Sequence, residues 1–219
     1  MLRSRFDTQL DELRDHLVEM GALIERAIAG AVTALVEGDR KRAKNAIAIE
    51  DEIDEKEAVI EQLCFKLLMQ QQPVAKDLRL ISAAHKMITD MERIGDQAAD
   101  IAEITLMMKI PGATHLPLIK NMATAAIKMV TDSIDAFVRS DLELATEVVK
   151  SDDVVDNYFL QLREQLIAII QKQPEDGETV VDLLMAVKYL ERIGDHATNI
   201  AEWVIFAITG THKGEELPQ

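Results

Sequence analysis

The sequence predicts an all-α protein made by tandem duplication: two three-helix up-down-up bundles, six long antiparallel helices in all. Three observations predict it. The run Glu92-Arg93-Ile94-Gly95-Asp96 recurs letter for letter as Glu191-Arg192-Ile193-Gly194-Asp195, and nine of twelve positions agree between Glu92–Glu103 and Glu191–Glu202. Two such runs 99 residues apart in a chain of 219 imply duplication, and an internal repeat fixes architecture before any single element does. Second, apolar residues recur at spacings of three and four through long segments, the period of a buried helix face. Third, aromatics make up 4% of the chain, with only 9 Gly and 5 Pro. A sheet-rich fold needs more of all three, whereas the abundant Ala, Leu, Ile, Met, Glu and Lys are compatible with helix.

The first helix is expected from Asp7 to about Glu37, where Leu10, Leu13, Leu17, Met20, Ile24, Ala27, Ile28, Ala31 and Leu35 form one stripe. About thirty residues make a rod of roughly 45 Å. Gly38 ends it, and Asp39 suits the N-cap of the next. The second helix carries Ala43, Ile47, Ile53, Ile60, Leu63 and Leu67 up to about Gln71, and Pro73 stops it. The third spans about Val74 to Met108, closed by Pro111-Gly112. Then the plan repeats: a helix over Leu118–Ser140, Asp141 as cap, a helix over Leu142–Gln173, a turn at Pro174–Gly177 and a sixth helix over Glu178–Thr209. The polar tail Gly210–Gln219 is expected to fray. The early part of the repeat aligns at an offset of 102 and the later part at 99, so the turn after the second helix is three residues longer in the first copy. Short connections between long helices force antiparallel neighbours. The expected domains are residues 1–110 and 111–219, packed end to end or side by side.

Net charge is −15. A protein that binds duplex nucleic acid needs cations to displace counterions from phosphate, so nucleic acid is excluded as a partner. The lone Cys64 cannot form an internal disulfide, which points to a reducing compartment. The N-terminal residues have no apolar run to act as a signal, and no apolar stretch reaches the about 18 residues of a membrane span. A soluble cytoplasmic protein is expected.

The repeat carries its chemistry in carboxylates. On the third helix Glu92, Asp96, Asp100 and Glu103 share one stripe, with Met91, Ala98, Ala102, Ala84 and Ile88 on the opposite, core-facing side. Like charges four apart repel, and only Arg93 lies within reach of Asp96. The second helix has a stripe of its own: Glu50, Asp54, Glu57 and Glu61. An acidic stripe is ordinarily a solvated helix face. The duplication filters these two. The second copy keeps Glu191 and Asp195 for Glu92 and Asp96, and Asp152 and Asp156 for Glu50 and Asp54, but puts Asn199 for Asp100, Phe159 for Glu57 and Arg163 for Glu61. Asp100, Glu57 and Glu61 therefore stay with the solvated reading. If the helices of a copy face each other, four carboxylates surround one small volume, and hard cations such as magnesium, calcium, manganese or ferric iron want oxygen ligands. Gly95 and Gly194 need a reason too, since a mid-helix Gly costs about 1 kcal/mol against Ala. Lying between the acidic stripe and the core face, it lets a second helix come close.

Other residues offer less. His16, His85, His115, His196 and His212 are scattered, and none follows a Glu by three as in di-iron bundles. They read as surface or supporting histidines. No phosphate-cradling Gly loop, no Gly-x-Ser-x-Gly and no zinc-type Cys spacing is present. Cys64, Met107 and Trp203 read as core.

The two Glu-Arg-Ile-Gly-Asp runs, together with Gln72-Pro73-Val74-Ala75-Lys76-Asp77-Leu78-Arg79-Leu80-Ile81, resemble the PhoU family of phosphate-transport accessory proteins, over about residues 5–209. In the second copy Glu178-Thr179-Val180-Val181-Asp182 lacks the Asp-Leu-Arg entry. The resemblance implies a non-enzymatic regulator that is cytoplasmic, dimeric, and peripheral to the membrane through its partners. Those implied partners are the ATPase subunit of a phosphate ABC transporter and a sensor histidine kinase. It also implies metal, an iron cluster or else magnesium, manganese, calcium or zinc, on Glu50/Asp54, Glu92/Asp96, Asp152/Asp156 and Glu191/Asp195. The alternative from another class is a metal-dependent phosphatase or oxidase using the clustered carboxylates, disfavoured because no histidine base or nucleophile accompanies them. A bare structural scaffold, binding no metal, is the third.

Overall fold

The computed structural model describes residues 2–70, 73–108, 117–212 and 215–216. The expected helices are there: α1 Leu2–Glu37, α2 Arg40–Gln70, α3 Ala75–Met107, α4 Pro117–Arg139, α5 Leu142–Lys172 and α6 Gly177–Thr209. The expected boundary at residues 110/111 falls outside the described residues. Among the described residues no helix is long and apolar enough to cross a membrane.

The local signals act as the sequence suggests, with two differences. Gly38 takes a left-handed φ of 70°, and the Asp39 carboxylate accepts the Lys41 and Arg42 N–H groups at 2.9 and 3.0 Å. At the matching place in the second copy, Ser140 holds φ 53° and Asp141 accepts the Leu144 N–H at 3.0 Å. The first difference is that α1 begins at Leu2 rather than Asp7. No Gly or Pro interrupts Leu2–Phe6, and the helix continues until Phe6 reaches the core at 6% exposure. Second, the tail does not simply fray. After the left-handed Gly210, Thr211–His212 pairs antiparallel with Glu215–Glu216, and the His212 ring stacks on Trp203 at 4.0 Å.

The stripes on α1 to α3 and α4 to α6 face inward as the helical period requires. Leu13, Leu17, Met20, Ile24, Ile28, Ile53, Ile60, Leu67, Met87 and Met91 are fully buried. Each is worth about 1.5–3 kcal/mol against exposure. Cys64 joins this core, and burial pushes its thiol up to about 12, so it is inert packing. One expected core residue lies outside it: Met107 is 70% exposed, in the last turn of α3. Trp203 is half-buried at the edge of the core, packed on Phe206 and stacked on His212.

The two copies pack side by side. α2 lies on α1 and α3, α5 lies on α4 and α6, α3 runs along α6, and α1 touches α4. The result is two layers: α2, α3, α6 and α5 in one, α1 and α4 in the other. In the inner layer Gly21 permits close approach, since a methyl there would sit 2.6 Å from Ile134 Cδ1.

The α3–α6 seam is polar, and the repeat relates its two sides. Asp90 Oδ1 stands 2.8 Å from His196 Nδ1 and accepts the Asn199 amide at 3.2 Å, while Gln97 Nε2 is 3.3 Å from His196 Nε2. Gln97 and His196 occupy matching positions of the two copies, as do Asp90 and Tyr189, and Asp100 and Asn199. The Asp90–Asn199 contact thus has a mate in the hydrogen bond between Asp100 and Tyr189. A pseudo-twofold axis passes between Gln97 and His196. Of the two expected roles, surface or supporting, His196 takes neither an open surface position nor a ligand's place: it packs in the seam against Asp90 and Gln97.

Candidate metal centres

The pseudo-twofold places two grooves on the outer layer, one between α2 and α3, the other between α5 and α6. Each is narrow because glycine lines it. A methyl on Gly95 would stand 3.0 and 3.2 Å from Ile53 Cδ1 and Cγ2. One on Gly194 would stand 3.2 Å from Val155 Cγ1 and 3.4 Å from Asp152 Oδ1. The repeated glycine therefore seats an aliphatic side chain of α2 or α5 and draws the acids beside it toward α3 or α6.

All eight expected carboxylates fall in these grooves, four in each. In the first, Glu50 and Asp54 face Glu92 and Asp96. Burial first, then the charges of Asp96 and Asp54, raise the Glu50 carboxyl, and burial followed by Asp96 raises Asp54. Glu92 is raised by burial and by Asp96, against the pull of Arg93. The second groove repeats the pattern with Asp152, Asp156, Glu191 and Asp195. Asp152 is pushed up to about 6 by burial, then by Asp156 and Asp195, with the Thr198 hydroxyl pulling back. Asp195 is raised by burial and by Glu191. Glu50, Glu92, Asp96, Asp152 and Glu191 are half-buried, while Asp54, Asp156 and Asp195 open to water. Each groove is a shallow negative trough.

The first groove holds more acid than the duplication alone singled out. Glu57 belongs to it: burial raises its carboxyl, and Glu61, Asp54 and Asp96 add to the shift. Glu103 repels Glu50 from the far end. The signal for Glu57 was its place on the Glu50–Asp54 stripe. Phe159 replaces it in the second copy, where that ring instead carries the Lys188 ammonium 5.4 Å from its centre. Asp100, read as solvated, is raised by burial and bonds Tyr189 across the seam.

Few cations answer these charges. Arg93 Nη1 lies 2.8 Å from Asp96 and its Nε 3.4 Å from Glu92, and Lys188 pairs with Glu191. Arg192 does not copy Arg93; its charge acts on Asp100 and Tyr189 at the seam. Among the described residues no three Asp, Glu, His or Cys side chains already stand together as a finished metal cage. The donor set nevertheless fits a hard cation: all oxygen, on two facing helices, with Glu50, Asp54, Glu92, Asp152 and Asp195 raised by burial first and then by neighbouring acids. A cavity of about 250 Å³ lies elsewhere, among Lys76, Leu80, Phe137 and Val204, and contains no acid.

The family model described as PhoU domain matches residues 17–105 and 119–204. The chain is 35% identical over 212 residues to the phosphate-specific transport system accessory protein PhoU homolog of Pseudomonas aeruginosa, covering 96% of this chain and 88% of that one. The crystal structure of PhoU from Pseudomonas aeruginosa superposes with a TM-score of 0.88 at 35% identity, covering 94% of this chain and 100% of that chain. That of the phosphate transport system regulatory protein PhoU from Streptococcus pneumoniae gives 0.87 at 27% identity, covering 94% and 98%.

Proposed function

This chain belongs to the PhoU family, and from that membership we propose that it represses phosphate uptake and the phosphate-starvation response without catalysing a reaction. In this reading it is a cytoplasmic homodimer, peripheral to the membrane through its partners. It joins the ATPase subunit of a phosphate ABC transporter to a sensor histidine kinase. Its relatives are named as accessory and regulatory proteins rather than enzymes, which supports the reading.

The observation that carries it is the pair of carboxylate grooves repeated about the seam, an all-oxygen donor set of the kind hard cations take. Glu50, Asp54, Glu92 and Asp96 would hold one metal site; Asp152, Asp156, Glu191 and Asp195 the other. The metal is iron, or magnesium, manganese, calcium or zinc. When bound, it supplies positive charge that offsets the repulsion within each groove and part of the net −15. The chain's own part is positional. Gly95 and Gly194 hold the paired helices close, and Arg93 and Lys188 occupy carboxylate oxygens that they release to a competing cation. A rigid two-layer body can then engage two partners at once, which raises their effective concentration for each other.

Deleting the gene should switch phosphate-responsive genes on in high phosphate. A deletion strain that still represses them refutes the regulatory reading. Elemental analysis of the purified protein tests the sites: Glu92→Ala with Asp96→Ala should empty the first groove and leave the second filled. If all four changes, adding Glu191→Ala and Asp195→Ala, leave the metal content unaltered, the metal lies elsewhere.

A further inference from the structure

Where α3 ends and α6 begins, the outer layer exposes large apolar side chains. Asp90 meets Asn199, Asp100 meets Tyr189 and Arg79 lies against Gly210. This antiparallel register brings Met107 level with Val181 and Asp182. Across the neighbouring groove, Val155 meets Gly194 and Phe159 meets Lys188, and that register brings Ile167 opposite Val181 from the other side. Met107 is 70% exposed, Val181 54%, Met185 47% and Ile167 46%. One apolar patch therefore crosses three helices.

The fold does not require it. At the other end of the seam, the positions matching Val181 and Met185 are Ser82 and Lys86. The position matching Met107 is Phe206, which is buried against Trp203 and His212. The opposite end exposes a different set, Phe65, which matches Ile167, at 46%, with Met69 at 79%, Val74 at 59% and Leu78 at 45%. Its surroundings carry more acid than base: from Lys172 to Met185 the chain has Glu175, Asp176, Glu178 and Asp182 against Lys172, and Glu103 precedes Met107 by one turn, while Arg163 precedes Ile167 by one turn and Lys109 follows Met107 by two residues. The cations nearest on α6 are engaged, Lys188 by Glu191 and Arg192 by Asp100.

We propose that this patch docks a basic amphipathic helix of a partner protein. Apolar residues at helical spacing would lie on Met107, Val181, Met185 and Ile167, and flanking Lys or Arg would meet the acidic rim. Methionines, with flexible thioether chains, adapt to such a helix. Charge selects the occupant at this patch, because a second copy seated here would bring one acidic rim against another. The inference rests on the adaptor reading only for there being a partner; the peptide measurement below and the deletion strain above can fail independently.

The test is fluorescence anisotropy of a labelled synthetic peptide of about 18 residues, leucines at helical spacing and lysines elsewhere, titrated with the whole chain. Changing Val181→Ser and Met185→Ser together, at exposed positions that folding does not need, should weaken binding at least about tenfold. Val59→Ser with Leu142→Ser, exposed apolar residues elsewhere, should leave it unchanged. Equal binding by the Val181/Met185 variant overturns the proposal, as does equal binding of a peptide with the same composition and scrambled spacing. So does a concentration-dependent dimer that the Val181/Met185 variant abolishes, since the occupant is then a second copy.

Discussion

Asp152 offers the sharpest measurement, because removing its charge should stabilise the metal-free protein. Its carboxyl is pushed up to about 6 from the ordinary 3.8, by burial first and then by Asp156 and Asp195. The folded chain holds this proton more tightly than the unfolded chain does. Below the unfolded value both states are protonated and the group costs nothing. As pH rises through the window from 3.8 to about 6, the unfolded state ionises first and stability falls. Above that window the cost is complete. Each pKa unit is worth about 1.4 kcal/mol, so the shift corresponds at face value to about 3 kcal/mol; the groove is open to water, and screening reduces it to about 1–2 kcal/mol. Asp152→Asn removes the ionisation and keeps the side chain's shape. In chelator, thermal unfolding at neutral pH should show the variant melting roughly 2–8 °C higher. At pH near 3.5 to 4 the difference should vanish. A variant that is less stable at neutral pH, or equally displaced at every pH, would refute the claim that burial and the neighbouring acids make the ionised Asp152 costly.

Two further outcomes follow from the backbone. Gly95→Leu should drive a side chain into Ile53, whose atoms already stand 3.0 and 3.2 Å from a methyl at that position, and lower stability by about 1–3 kcal/mol as overpacking does; urea unfolding measures it, and an unchanged midpoint would mean the α2–α3 contact is loose. Ser140→Gly should raise stability by up to about 1 kcal/mol, because Ser140 holds a left-handed φ of 53° where its first-copy counterpart is Gly38 and a side chain is strained. Thermal unfolding checks it, and a lower melting temperature would mean the serine side chain supports the turn.

Much of the fold was written locally. Gly38-Asp39, Asp141 and Pro73 mark helix ends by mechanisms that act within a few residues, so reading them needs no tertiary knowledge. The helical period named the buried face of α3, and Met91, Ala98 and Ala102 are fully buried on it. The misses lie where a neighbour decides. Whether Met107 is covered depends on where α6 starts beside it. Trp203 is sheltered by a histidine nine residues on, in a short hairpin that no periodic pattern announces.

The site divides in the same way. The eight carboxylates were legible because duplication repeats a constraint that both copies share. What the second copy lacks is invisible to that filter, and Glu57, replaced there by Phe159, escapes it for that reason. Symmetry also hides what lies on its own axis. A contact between the copies pairs a residue of one with a different residue of the other, so nothing repeats at the offset of 99. Asp90 and Asn199 have Tyr189 and Asp100 as their counterparts, and the conserved feature is the reciprocal bond rather than any residue type. The Gln97–His196 contact occupies a single position of the repeat twice and is filled by different side chains. Once α3 lies along α6, those mismatches become complementary pairs. The Asp100–Tyr189 bond then ties the rim of the first groove to the helix that carries Glu191 and Asp195. The divergence that disqualified Asp100 as a shared ligand is the same divergence that lets it bridge the two halves.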